Sequence, residues 1–239
     1  MTTPASHAVS ADGHVLAERR GAIGLITLNR PGALNALSLP MVRDLTAVLL
    51  GWREDAGVAG VLVRGAGRDG KPPAFCAGGD IRFFHQAALA GDPRLEDFFT
   101  EEYALNHLIH RYPKPYIALM DGICMGGGMG ISQGAALRVV TEHSQLAMPE
   151  THIGLFPDVG GGWFLARCPG HLGEYLALTG HVLRADDAIA AMLADVQVPS
   201  DTLPALVDAL CALQAPTAEE VLATARGHAQ PAGEGGLSA

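Results

Sequence analysis

The sequence has little positive charge. Lys and Arg number 16 against 25 Asp and Glu, the formal net charge is −9, and charged residues make up only 17% of the 239. Phosphate-backbone binding needs clustered Lys and Arg, so this balance argues against a nucleic-acid partner, and an anionic small molecule would have to be met by a few local groups. Long apolar runs are also missing. Hydrophobic residues reach 49%, enough for a sizeable core, yet no run approaches the roughly 20 residues that span a bilayer, so no membrane partner is expected. Cysteine is sparse: Cys76, Cys124, Cys168 and Cys211 stand far apart without a CxxC pair, which reads as reduced thiols rather than a disulfide framework. MTTPASHAVSADG at the start has neither the apolar core of a signal peptide nor the arginines of a transit peptide, so the expected address is the cytoplasm. There is no HExxH, no GxSxG elbow and no internal repeat. His107 and His110 lie three apart on an expected helix but lack a third ligand, and no metal is expected.

What is present is a recurrence of strand, glycine turn and helix. The β-rich runs from His14 to Leu28 surround the turn signal Arg20-Gly21 and predict a hairpin. Ser38 is a plausible cap for an amphipathic helix over Leu39 to Trp52, and Val58 to Val63 suits a buried strand. Helical patterns follow at Ile81 to Ala90 and Leu95 to His110, then a strand at Tyr116 to Met120, a helix at Gly127 to Ala136 and a strand at Leu137 to Thr141. From Gly161 onward the pattern is helical with no convincing strand. The expected organisation is a flexible N-terminus over 1–13, a catalytic domain over 14–195, C-terminal helices over 196–226 and a disordered tail over 227–239.

One glycine motif misleads. GAGRDGK, Gly65 to Lys71, satisfies both GxGxxG and GxxxxGK, yet Pro72 and Pro73 follow where a phosphate-binding helix would have to begin, so it reads as a surface turn. Two other turns sit at strand-to-helix junctions: FCAGGD (Phe75 to Asp80) and MGGGMG (Met125 to Gly130). Free N–H groups and the positive helix end point outward there, and glycine lets a ligand come close to the backbone, so an oxyanion on a carbonyl would be stabilised. Tight turns and close helix packing alone would also explain either one.

The stretches NRPGALNAL, FCAGGDI, PYIALMDGICMGGGMGIS and MPETHIGLFPDVGGGWFLAR together resemble the crotonase superfamily of enoyl-CoA hydratases and isomerases, over roughly residues 14 to 195. MPExxIGLFPDVGGG and the acidic doublet in FFTEEYALN are more similar to the family's 3-hydroxyisobutyryl-CoA hydrolases than to its hydratases. The resemblance implies an α/β fold, a crotonase-like spiral of ββα units with a helical C-terminal part. It makes the N–H groups of Ala77 and Gly127 the oxyanion hole for a thioester carbonyl, with Gly78, Gly79, Asp80 and Gly126 beside the substrate. It places Arg30 near the CoA phosphates, the backbone around Leu34 and Ala36 near pantetheine, and Arg82 as another candidate anion contact.

A hydratase of this family carries one glutamate just after the second glycine turn and another in the PE motif. Here the first position is Gly130 and the second is Glu150. The resembling hydrolases use Glu150 together with an acid eight residues on, Asp158, and a glutamate matching Glu102. Glu150 is then the base that activates water or the nucleophile, Asp158 orients the water or acyl hydroxyl and assists proton transfer, and Glu102 contacts the acyl hydroxyl. The plainer readings are a solvated helix carboxylate for Glu102 and a cap on the helix near Gly161 for Asp158. The reaction the resemblance implies is hydrolysis of a short, branched β-hydroxyacyl-CoA, 3-hydroxyisobutyryl-CoA to 3-hydroxyisobutyrate and CoA, with no cofactor beyond the CoA of the substrate. An enoyl-CoA hydratase or isomerase using Glu150 alone and a non-catalytic acyl-CoA binding subunit are the alternatives. The hydrolases it resembles extend beyond position 239 with helices that help cover the acyl site and can join subunits, so the chain reads as a fragment or shortened paralogue, and a homo-oligomer is one expectation.

Overall fold

The computed structural model describes residues 8–9, 12–67, 70–231, 233 and 236. Ten strands form two sheets among them. The larger has seven strands in the order β1 (Ala8–Val9), β2 (Val15–Arg20), β3 (Ile23–Leu28), β4 (Gly60–Gly65), β6 (Tyr116–Met120), β8 (Leu137–Val140) and β10 (Val196–Gln197). Its first three strands are antiparallel, with Arg20 paired to Ile23 across the hairpin, and from β3 to β10 every pair is parallel. The smaller sheet is parallel, in the order β5 (Ala74–Cys76), β7 (Ile123–Met125) and β9 (Gln145–Ala147). Each of these short strands delivers the chain toward a piece of the candidate site.

Parallel strands covered on both faces should carry apolar residues in both directions, and these do. Val61, Val63, Tyr116, Ala118 and Met120 face a core shared with helix α1 (Leu39–Glu54) and helix α3 (Arg94–His110). Leu62, Ile117, Leu119, Leu137 and Val139 face the opposite way, against Leu206, Val207 and Leu210 of one late helix and Val221 and Ala225 of the next. Ser38 caps α1, accepting from the Met41 N–H, and the buried Leu39, Met41, Val42, Leu45 and Leu49 follow the helical period. Helices α2 (Ile81–Ala90) and α4 (Gly127–Gln133) begin at the two glycine turns. The later helices are α5 (Gly161–Leu165), α6 (Leu172–Thr179), α7 (Ala185–Ala190), α8 (Leu203–Ala212) and α9 (Ala218–Arg226).

Four expectations need correcting. The helix at Gly127 ends at Gln133 rather than Ala136: Gly134 is its C-cap, and the Ala136 N–H donates to the Tyr116 carbonyl at 2.9 Å, which turns the chain into the next strand. A strand does occur after Gly161: β10 extends the parallel sheet beside β8, too short to show a period in the sequence. The MGGGMG turn follows β7, not the strand Tyr116–Met120 directly. Within the expected tail, the Gln230 N–H donates to the Gln197 carbonyl at 2.9 Å, continuing the chain beside β10. Residues 1–7, 10 and 11 of the expected flexible N-terminus and 232, 234, 235 and 237–239 of the tail lie outside the described residues. So do residues 68 and 69 of GAGRDGK; after them the chain leads into strand β5, with no helix at Gly70.

Candidate active site

Strand β5 ends at Cys76, and the FCAGGD turn that follows is laced to the segment 30–37. The Ala77 N–H donates to the Leu34 carbonyl at 3.0 Å, the Leu37 N–H to the Gly78 carbonyl at 2.8 Å and the Asp80 N–H to the Leu37 carbonyl at 2.9 Å. This corrects the expectation for Ala77, whose N–H already has an acceptor in the protein. Neither the Gly78 nor the Gly79 N–H donates to a backbone carbonyl outside the strands, and it is the Gly79 nitrogen that lies beside Gly127, 3.3 Å from a Cβ built there. Segment 30–37 owes its shape to Asn35, fully buried with φ 56° beside Leu34 at φ 53°. Asparagine tolerates this left-handed backbone better than most residues. Its Oδ1 accepts from the Arg30 N–H, and its Nδ2 donates to the carbonyls of Ala74 and Ala66.

Arg30 and Asp80 are each other's partners, Nη2 to Oδ2 at 2.7 Å. Arg30 Nη1 also donates to the Ala36 carbonyl, and Asp80 caps α2 by accepting from the Phe83 N–H. Burial alone would raise the Asp80 carboxyl, but the Arg30 and Phe83 hydrogen bonds hold it below the ordinary carboxylate value. These two expected ligand residues therefore join the segment 30–37 to the turn. Arg82 is exposed in the first turn of α2.

The second turn meets the first. Gly126, φ 50° and ψ −118°, precedes α4, and Gly127 at the first helical position has an N–H with no intrahelical acceptor. Glycine suits both places, Gly126 by its positive φ and Gly127 by the close approach of the other turn. A Cβ on Gly126 would lie 2.6 Å from Glu150 Oε1, and one on Gly127 would lie 2.5 Å from Glu102 Oε1 and 3.3 Å from the Gly79 nitrogen. The two free N–H groups and two of the three carboxylates are thus gathered at one place. Together with Asp158, Phe84, Phe99 and Val159 they line a cavity of about 160 Å³.

Each carboxylate has its own setting. Glu102 occupies a position in the buried stripe of α3 with Phe98, Leu105 and Ile109, and is only 2% exposed. Burial first, then the charges of Asp158 and Glu150, push its pKa up to about 8, and its Oε1 has no hydrogen-bond partner. Glu150 opens the 3-10 helix Glu150–Ile153 after β9 and is 8% exposed. Burial, with a smaller contribution from Asp158, pushes it up to about 7, and its Oε2 is unpartnered. Asp158 is half-buried and accepts from the Tyr103 hydroxyl at 2.7 Å. It is not a side-chain cap: α5 has Gly160 at its N-cap, and it is the Asp158 carbonyl that accepts from the Gly161 N–H. Tyr103 was not foreseen from the sequence.

Gly130, where a hydratase would place a carboxylate, has no space for one. A Cβ there would lie 2.7 Å from the Val159 Cβ and 3.0 Å from both amide atoms of Asn106. Asn106, also unforeseen, stands one helical turn after Glu102, and this i, i+4 spacing was the signal that could have found it. A second cavity of about 670 Å³ adjoins the first through Asp158 and Val159 and is lined by Asn106, His107, His110 and Trp163.

Comparison with known proteins agrees with this fold. Residues 23–236 match the Enoyl-CoA hydratase/isomerase family, and the chain belongs to it. It is 52% identical to the mitochondrial 3-hydroxyisobutyryl-CoA hydrolase of Xenopus tropicalis over 210 residues, covering 88% of this chain and 54% of that protein. The human protein of the same description is 48% identical over 207 residues, covering 87% and 53%. The chain thus spans about half the length of the curated relatives it matches. Among solved structures, a carnitinyl-CoA dehydratase from Mycobacterium thermoresistibile superposes with a TM-score of 0.84 at 42% identity, covering 94% of this chain and 63% of that one. An enoyl-CoA hydratase from Rhodobacter sphaeroides 2.4.1 gives 0.80 at 44% identity, covering 92% and 62%. No helix among the described residues is long and apolar enough to cross a membrane.

Proposed function

We propose that the chain carries the thioester-hydrolysing site of an acyl-CoA hydrolase, with 3-hydroxyisobutyryl-CoA as the first substrate to test. The observation that carries this reading is the packing at Gly130. Val159 and Asn106 fill the space a hydratase's first glutamate would need, while Glu102, Glu150 and Asp158 share one small cavity with two free N–H groups. The names and identities of the curated relatives support the same choice.

In the proposed reaction the thioester oxygen lies between the N–H groups of Gly79 and Gly127. They stabilise the negative charge that develops as the carbonyl carbon becomes tetrahedral. Glu150, with a pKa raised to about 7, is ionised enough near neutrality to act and basic enough to accept a proton from attacking water. The same carboxylate could attack the carbonyl itself, giving an acyl-enzyme that water then opens. In either course the C–S bond breaks, CoA leaves as the thiol after taking up a proton, and the hydroxy acid is released. Asp158, fixed by Tyr103, orients the water or the acyl hydroxyl. No cofactor beyond the CoA of the substrate is required.

The second reading, an enoyl-CoA hydratase or isomerase working through Glu150 alone, is favoured by the names of the solved structures above. Supplying 3-hydroxyisobutyryl-CoA while following thiol release, and separately crotonyl-CoA while following loss of the conjugated double bond, separates the two. Thiol release that disappears in Glu150→Gln is the expected result. Hydration of crotonyl-CoA without thiol release would refute the hydrolase reading, and binding of both esters without reaction would favour a non-catalytic acyl-CoA subunit.

A further inference from the structure

We propose that Glu102 works as a neutral carboxylic acid, donating its O–H to the thioester oxygen as a third donor of the oxyanion hole. This rests on the hydrolase reading and goes beyond a contact with the acyl hydroxyl. Three observations lead to it. The first is position: a Cβ built on Gly127 would lie 2.5 Å from Glu102 Oε1 and 3.3 Å from the Gly79 nitrogen. A carboxyl oxygen is thus placed where the two glycine turns meet, without accepting from either N–H.

The second is its surroundings. Glu102 faces Glu150 and Asp158 across the cavity and Cys76 on β5, and Tyr103 follows it on α3. No ion pair to Glu102 is formed among the described residues. Arg43 of α1 is exposed and bound to Glu101 and Asp97 of α3. The third is the unpartnered, buried Oε1. A carboxylate so placed would have a buried, unpaired oxygen, which is costly for a charge, and would repel the oxyanion beside it. A protonated carboxyl avoids the charge burial and the repulsion, and its hydrogen finds an acceptor when the thioester oxygen arrives. The raised pKa of about 8 agrees with this state near neutral pH.

The test compares wild type, Glu102→Gln and Glu102→Ala on 3-hydroxyisobutyryl-CoA from pH 6 to about 9.5. Glutamine keeps the shape and a donor but cannot ionise. The expected result is that wild-type kcat/KM falls as pH rises past about 8. Glu102→Gln should retain thiol release within about tenfold of wild type and lose this alkaline limb, while Glu102→Ala should fall by about 10² to 10³, the usual loss of one oxyanion-hole donor. Glu102→Gln as inactive as Glu102→Ala, or an unchanged alkaline limb in Glu102→Gln, would overturn the proposal. A second measurement does not depend on turnover. In the Glu150→Gln protein, isotope-edited infrared spectra of bound 3-hydroxyisobutyryl-CoA labelled at the thioester carbonyl should show the stretch shifted to lower frequency. Adding Glu102→Gln should keep most of that shift, and adding Glu102→Ala should lose part of it. A shift indifferent to Glu102 refutes the third donor even if hydrolysis is seen. A shift that follows Glu102 with no hydrolysis by wild type refutes the hydrolase reading alone.

Discussion

Replacing Gly130 by alanine asks whether the lost hydratase carboxylate is a matter of packing. In the middle of a helix, Gly→Ala ordinarily stabilises by about 1 kcal/mol. Here the new Cβ would sit 2.7 Å from the Val159 Cβ, an atom attached directly to the backbone rather than the far end of a flexible side chain. Overpacking a tight core costs roughly 1 to 3 kcal/mol, so the net expectation is a loss of about 0 to 2 kcal/mol, or up to about 8 °C in Tm for a domain of this size. The partner residue sharpens the prediction. Val159 holds φ 43° and is 6% exposed, so Val159→Gly removes the obstructing Cβ and relieves left-handed strain, while giving up buried apolar surface. In that background Gly130→Ala should recover its normal gain, and the double-mutant cycle in urea should give a coupling of about 1 to 3 kcal/mol. Gly130→Ala that is stabilising with Val159 present, or a cycle with no coupling, would show that the space at Gly130 is open and that packing does not exclude the second glutamate.

Two other expectations concern stability. Glu102 and Glu150 have folded pKa values near 8 and 7 against 4.5 in an unfolded chain, so between these limits the unfolded state holds fewer protons. Their contribution to stability is therefore complete below about pH 4.5 and is lost as pH rises to about 8; Tm should fall over that window, the slope should lessen in Glu102→Gln, and a Tm that rises there in step with Glu102 ionisation would contradict the assignment. Asn35→Ala removes hydrogen bonds to Arg30, Ala66 and Ala74 and leaves a buried alanine in left-handed backbone; urea unfolding should show a loss of about 3 to 5 kcal/mol, whereas a loss under about 1 kcal/mol would mean that segment 30–37 is held by other contacts.

The longer elements were legible because their periods were. α1 and α3 show apolar residues at helical spacing, and the strand Tyr116–Met120 is an unbroken apolar run. The three strands of the smaller sheet, three residues each, contain too few positions for any period to register, although they aim both glycine turns and deliver the chain to Glu150. For the site, the resemblance to the crotonase superfamily pointed to Gly127, Glu102, Glu150 and Asp158. The choice between Ala77 and Gly79 was not legible, because it depends on the Leu34 carbonyl claiming one N–H and not the other. Tyr103 and Asn106 were missed for a similar reason: on a helix they read as ordinary polar positions until α3 is packed beside the loop that carries Asp158.

The lacing of segment 30–37 to the FCAGGD turn has a consequence for engineering. Leu37 both donates to Gly78 and accepts from Asp80, Leu34 holds Ala77, and Arg30 clamps Asp80, so the two segments form a single part with no slack in register. Neither can be lengthened, shortened or exchanged with a relative alone without misaiming the Gly79 N–H. A chimera that moves 30–37 and 74–80 together, with Asn35 as their common pin, would carry the geometry intact, and loop grafting on this scaffold should respect that boundary.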